Sequence, residues 1–291
     1  MTAPPPTIPR PVRIGSPRSW SVVHDDLARL GTAVLYAPAD AWRRDERDET
    51  GLRRLLGRDW DRYLSFGHPG LRRQFVASRA LLKQAAAVAL RLAPEDIELA
   101  YGPSGRPYLR GFDQIDLSLS HTDDILLVGM TTRGLIGVDV ERSDRPLYGP
   151  GLGRQICTPH ELKQLARLPE QRRNAELVRL WTLKEAYSKA IGQGMRFRFT
   201  QFGFATDPAD GRVLRPDGGR GGEEWTLRTF ALPEGYCASA VVENAGFGRL
   251  EDPAAATMLD RDLVVALTSA LAEQPEAAAP PDDDPGKETP R

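Results

Sequence analysis

Three stretches of this chain bring acids, cations and hydroxyls together at spacings that could do phosphate chemistry. In WTLKEAYSKAIGQG, residues 181–194, helical period puts Trp181, Glu185 and Ser188 or Lys189 on one stripe, so a large apolar ring would anchor the face that presents a carboxylate. In GLIGVDVER, residues 134–142, a strand would project Asp139 and Glu141 from one face while Ile136, Val138 and Val140 face a core. Two carboxylates that close repel unless a cation lies between them. Oxygen-only ligands of this kind suit Mg²⁺ or Mn²⁺, which usually bind together with substrate phosphates. Glu185 offers a third carboxylate, and Lys184 and Lys189 offer the counter-charge that a pyrophosphate needs. In IDLSLSHTDD, residues 115–124, Ser118 and Ser120 share a strand face and His121 follows at the turn; both residue types can donate to phosphate oxygens.

Each stretch also has a plainer reading. Asp139 and Glu141 could be the acidic solvent face of a strand, and His121 a solvated strand end. Glu185 and Lys189 could form a surface i,i+4 pair, worth only a few tenths of a kcal/mol. A fourth stretch, YGPSGRPYL (101–109), is a turn made by Pro103, Gly105 and Pro107 that would lift Arg106 at its tip, either as a hairpin end or as a bidentate phosphate contact. Arg72, Arg73 and Arg79 open a helix and are either a solvated face or further cations for a multiply charged ligand.

These residues must be positioned by elements that the chain's periodicity predicts. Residues 31–38 alternate like a strand, about 71–92 form a helix, and the segments near 97–103, 115–122 and 124–133 read as short strands. From 135–141 the pattern restarts with a strand. It continues with a helix opened by Thr158, Pro159 and Glu161, the helix containing WTLKEAYSKA, and strands near 202–207, 224–232 and 236–244. Mixing without regular alternation favours an α+β fold over a parallel α/β sheet. Two similar α+β halves are expected, 21–133 and 134–248, with the site at their junction. A C-terminal helix is expected at 249–272. The Pro/Arg-rich stretch 1–20 and the Pro/acid-rich stretch 273–291 are expected to be disordered tails.

Composition narrows the class. With 291 residues, 41% of them apolar, the chain can bury one large core or two modest ones. Thirty-nine basic against 40 acidic residues give a formal charge of -1, so no overall field draws it to nucleic acid or anionic lipid, and any anion must be caught locally. Cys157 and Cys237 stand without a CxxC or nearby histidine pairs, which argues against a disulfide framework or structural zinc. Prolines occupy the N-terminus where a signal peptide would need an apolar run, and no 18-residue apolar stretch occurs, so a cytoplasmic protein is expected.

In this order the four stretches resemble the Sfp-type 4′-phosphopantetheinyl transferases, over roughly residues 60–245. That family carries a G-K-P turn, an S-H strand end, an (I/V)-G-(I/V)-D-(I/V)-E strand and a W-x-x-K-E-(A/S)-x-x-K helix. Here they are matched by Gly105-Arg106-Pro107, Ser120-His121, Ile136 to Glu141 and Trp181 to Lys189. The resemblance implies transfer of the 4′-phosphopantetheine arm of coenzyme A, the co-substrate, to a serine of an apo acyl, peptidyl or aryl carrier protein, with release of adenosine 3′,5′-bisphosphate. It further implies a Mg²⁺ site at Asp139, Glu141 and Glu185, phosphate contacts from Lys189 and Lys184, contacts to the bisphosphate end from Ser120 and His121, and a cation at Arg106 in place of the family's lysine. Arg79 is a further candidate for coenzyme A. Glu185 and Glu141 are the candidates for the serine's proton, with Lys189 beside them. A monomer is expected, since two halves in one chain supply both walls. Two other functions would use parts of the same pattern: a metal-dependent nucleotide pyrophosphohydrolase, and a non-catalytic coenzyme A or carrier-protein binding module that would not need all three acids.

Overall fold

A computed structural model of the chain describes residues 7–149, 151–193, 198–205, 213–219, 221–222 and 224–244. The helix expected at 249–272 and the tail expected at 273–291 lie outside the described residues. In the first half β1 (Val12–Arg13) leads into α1 (Pro17–Leu30), β2 (Thr32–Pro38), α2 (Glu49–Leu56), α3 (Trp60–Ser65) and α4 (Pro69–Leu90). Two hairpins follow, β3 (Leu99–Tyr101) with β4 (Pro107–Leu109) and β5 (Asp116–Thr122) with β6 (Ile125–Thr131). The second half runs through β7 (Ile136–Arg142), α5 (Leu152–Ile156), α6 (Pro159–Arg167) and α7 (Glu170–Ala190). It ends in the pairs β8 (Gly203–Phe204) with β9 (Val213–Leu214) and β10 (Trp225–Leu232) with β11 (Tyr236–Glu243).

The fold is α+β, and its halves repeat one connectivity. In the first, the sheet order is β1-β2-β6-β5; in the second it is β10-β11-β7. After β1 and α1, which only the first half has, each half runs from a strand (β2 or β7) through a long helix (α4 or α7) and a short strand pair to a hairpin whose last strand returns antiparallel beside that first one. Each half packs its own core. One gathers Leu35, Leu81, Leu117 and Met130, and the other Leu177, Leu180, Phe204 and Val241. A third cluster joins Val34, Tyr36, Ile125 and Leu127 of the first half to Ile136, Val138, Val140 and Ala240 of the second. The halves therefore share apolar surface that neither could bury alone.

The described part of the N-terminal stretch, residues 7–20, is not a disordered tail. Ile8 and Ile14 are buried, and Val12 and Arg13 pair in parallel with Leu35 and Tyr36. Arg228 donates to the Ile8 carbonyl, and Arg13 pairs with Glu234. Pro17 takes the first turn of α1, where its missing N–H costs nothing. Proline-rich composition hid this because the two isoleucines that anchor the segment are too few to show a period.

One glycine decides how β7 meets α7. A Cβ on Gly137 would lie 1.8 Å from the Ala186 carbonyl oxygen, so the strand and the motif helix touch backbone to backbone. That contact brings the Asp139 and Glu141 face of β7 against the helix that carries Glu185 and Lys189. Gly137→Ala must push α7 away, and overpacking of this kind costs about 1–3 kcal/mol. A fall of roughly 2–12 °C in the thermal midpoint is expected by circular dichroism, given about 2–4 °C per kcal/mol at this size. An unchanged midpoint would mean that the close approach does not bear on stability.

Candidate active site

The site grows out of an edge that has to be satisfied. β7 pairs with β11 through one edge only, so the N–H and C=O groups of Ile136, Val138 and Val140 point away from that partner. Side chains from the first half meet them. Asp116 Oδ2 accepts from Ile136 N at 2.7 Å, Ser118 Oγ accepts from Val138 N at 3.1 Å, and Thr122 Oγ1 donates to Val140 O at 2.8 Å. These residues alternate along β5, so one strand face is polar because it stitches the second half's edge.

Ser120 continues that face and reaches the acids. Its Oγ donates to Asp139 Oδ1 at 2.7 Å and accepts from Lys189 Nζ at 2.8 Å. Lys189 also donates to Asp139 Oδ1 at 2.6 Å and to Val138 O at 3.2 Å. Three of the expected residues, drawn from β5, β7 and α7, thus close a triangle across the junction. Asp139 and Glu141 are both buried on the α7 face of β7. Glu141 accepts from Arg142 N at 2.9 Å through Oε1 and pairs with Arg145 through Oε2. Glu185 stands one turn before Lys189; burial raises its carboxyl pKa, the Asp139 charge raises it further, and Lys189 and Arg145 oppose the rise. His121 follows Ser120 at the strand end with Nδ1 3.2 Å from Gln74 Nε2. Its pKa is lowered by burial first and then by the Lys189 and Arg79 charges.

The donor chemistry fits a hard divalent cation, because Asp139, Glu141 and Glu185 are oxygen donors on two elements in direct contact. Among the described residues, however, no three such side chains converge at metal-binding distance. Asp139 is turned to Lys189, and Glu141 to Arg145.

Three expected contacts lie elsewhere. Lys184 is a correction: it is fully buried, donates to the carbonyls of Phe199 at 2.7 Å and Phe202 at 2.6 Å, and pairs with Glu161 at 2.9 Å. One residue is 100° of helix, so Lys184 is turned from the stripe of Glu185 and Lys189 into the core behind α7. Burial lowers its pKa and the Glu161 charge opposes the shift. Arg106 is not lifted at the tip of its turn. Its Nη2 contacts Asp116 and donates to the Ile136 carbonyl at 2.7 Å, so it supplies the counter-charge that a buried carboxylate at the seam requires. Arg79 is buried, held by Asp59 at 2.9 Å and the Tyr101 hydroxyl at 3.0 Å, with its guanidinium 4.3 Å over the Phe75 ring.

Sequence reading missed Asp116, Thr122, Arg145 and Asn174. The alternation D-x-S-x-S-x-T in residues 116–122 was the available signal for the first two. Asn174 of α7 accepts from the backbone N–H of Leu147 and of Tyr148 at 2.9 Å each and donates to the Arg145 carbonyl at 2.9 Å. No local pattern announces that.

A family model of the 4′-phosphopantetheinyl transferase superfamily matches residues 135–241, which hold β7, α7, β10 and most of β11. A phosphopantetheinyl transferase from a Thraustochytrium species is 30% identical over 226 residues, 72% of this chain and 75% of the relative. The 4′-phosphopantetheinyl transferase HetI of a Nostoc species is 29% identical over 186 residues, 63% of this chain and 75% of the relative. An L-aminoadipate-semialdehyde dehydrogenase-phosphopantetheinyl transferase from Eremothecium gossypii is 28% identical over 232 residues, 75% of this chain and 77% of the relative. The chain belongs to the 4′-phosphopantetheinyl transferase superfamily, a family of enzymes.

The position of Lys184 makes a sharp prediction. Lys184→Met leaves Glu161 charged and buried with its counter-ion gone, a loss of about 3–5 kcal/mol when a buried pair is broken. Urea unfolding is expected to show that loss, and Lys184→Met/Glu161→Gln to recover part of it. Unchanged stability with weakened coenzyme A binding would instead return Lys184 to the phosphates.

Proposed function

We propose that this chain transfers the 4′-phosphopantetheine arm of coenzyme A to a serine of an apo carrier protein, in a divalent-metal-dependent reaction that releases adenosine 3′,5′-bisphosphate. The observation that carries the reading is the triangle of Ser120, Asp139 and Lys189 beside Glu141 and Glu185, of which all but Ser120 lie within the residues that the superfamily model matches. Asp139, Glu141 and Glu185 would hold Mg²⁺, or Mn²⁺ in its place. Such an ion, once bound, neutralises charge developing on the pyrophosphate oxygens. Lys189, half-buried and already bonded to Ser120 and Asp139, turns its ammonium to those oxygens. Ser120 and His121 offer donors to the bisphosphate end from the strand terminus.

The serine of the carrier attacks the β-phosphorus of coenzyme A, and the bond to the adenosine bisphosphate oxygen breaks as the new phosphodiester forms. The serine proton passes to a carboxylate. Glu185 and Glu141 are the candidates to accept it, as the carboxylates that the motif helix and β7 bring to the junction. Neither cysteine is a ready covalent nucleophile, since burial pushes the thiol pKa of Cys157 up to about 12 and that of Cys237 up to about 11. We also propose a cytoplasmic location, on the sequence pattern given above, and a monomeric catalyst, on the two halves that supply both walls of the site.

The test is to mix the protein with coenzyme A, Mg²⁺ and a panel of apo acyl, peptidyl and aryl carriers and to weigh the carriers. A mass gain of one phosphopantetheine arm is expected on at least one. Phosphate or nucleotide release without carrier modification would favour a pyrophosphohydrolase, and coenzyme A binding without turnover a binding module. Glu185→Gln is expected to lower the rate by roughly 10²–10⁴ and to raise the Mg²⁺ requirement. Lys189→Ala is expected to weaken turnover while leaving the Mg²⁺ requirement little changed or reduced, since a nearby positive charge has gone. Wild-type rates from Glu185→Gln would sink the assignment.

A further inference from the structure

We propose that Arg145 is the built-in counter-cation of the carboxylate cluster: it yields Glu141 Oε2 to an incoming divalent cation and stays tethered beside the phosphates as a positioning residue. This rests on the metal reading above. The two oxygens of Glu141 have different tasks. Oε1 is committed to the Arg142 N–H at 2.9 Å, so Oε2 is the oxygen left for a ligand, and the Arg145 guanidinium holds it. The same guanidinium lies 5.3 Å from the centre of the Trp181 ring, and its charge acts on Glu185. Arg145 therefore stands among both glutamates and the aromatic anchor of the motif helix.

The base of this side chain is fixed by the backbone, and its tip is held by Glu141 at the edge of solvent. Asn174 binds the Arg145 carbonyl and the N–H groups of Leu147 and Tyr148, and Arg145 N donates to the Arg142 carbonyl at 3.1 Å, so the loop is pinned to α7. The side chain itself is 41% exposed and has solvent to swing through. Glu141 is buried, but the arginine side of the pair is open to water, so a cation of higher charge can compete for the glutamate oxygen while the displaced guanidinium is resolvated. Once off Glu141, the planar fork keeps the same anchor and suits two oxygens of one phosphate.

Mn²⁺ titration followed by electron paramagnetic resonance of the free ion tests this on the full chain without coenzyme A, with the Michaelis constant for coenzyme A measured separately at saturating Mg²⁺. Arg145→Ala is expected to bind Mn²⁺ roughly 3- to 10-fold more tightly, since a competing cation is gone. Its Michaelis constant for coenzyme A is expected to rise several-fold, with Arg145→Lys between it and wild type. Equal or weaker Mn²⁺ binding by Arg145→Ala overturns the counter-cation role. Tighter Mn²⁺ binding with an unchanged Michaelis constant overturns the phosphate role. If wild type and Glu141→Gln bind Mn²⁺ alike, the metal reading itself fails, and this inference with it.

Discussion

Everything at the junction depends on the free edge of β7. A strand paired on one side leaves a row of peptide groups that cannot be buried unsatisfied, and an unpaired buried group costs about 1–3 kcal/mol. A neighbouring strand would usually supply the partners. Here β5 approaches with its side chains instead, and Asp116, Ser118 and Thr122 take the places of backbone groups. The register leaves Ser120 facing Asp139, which draws the first half into a cluster whose acids all belong to the second. Arg106 and Lys189 then satisfy the Ile136 and Val138 carbonyls, so the same edge that demands partners also gathers cations.

Positioning and electrostatics are linked through that geometry. Gly137 lets α7 lie directly on β7, which brings Glu185 within electrostatic reach of Asp139 and sets the Lys189 ammonium on it. The carboxylates would repel strongly without compensation. Lys189 and Arg145 provide it, one from the helix and one from a loop that Asn174 pins to the helix. On the far side of α7, Lys184 and Glu161 do structural work of the same electrostatic kind. Glu161 caps the Thr158 N–H, accepts from Phe204 N and neutralises Lys184, tying α6, α7 and β8 at one buried point. Adjacent lysines in one motif thus serve unrelated ends, because a helix turns them to different faces.

Much of this was legible in the sequence, and the limits are physical. The α+β class, the strands at 32–38, 116–122, 125–131 and 136–142 and the motif helix follow from periodicity, as does the shared face of Asp139 and Glu141. α1 escaped because proline and arginine dominate the composition around Ser16 and Pro17, although that pair is itself a helix-start signal. Charge and the family resemblance both point Lys184 to phosphate, and nothing local distinguishes a lysine that meets two carbonyls and a glutamate 23 residues earlier in the chain from one that meets solvent. The place of Arg106 is hidden for a related reason: its partners, Asp116 and the edge of β7, are set by how the halves pack, which no spacing encodes.

The central claim is that side chains from the two halves act as one unit at Asp139. A double-mutant cycle on the rate constant for carrier modification, kcat/KM, with Ser120→Ala and Lys189→Met as the single changes, tests it most directly. Coupling of about 1 kcal/mol or more is expected, with the double variant losing clearly less than the product of the two single losses. Effects that add within about 0.5 kcal/mol would mean the serine and the lysine act independently, and would contradict a site built on their shared hold of Asp139.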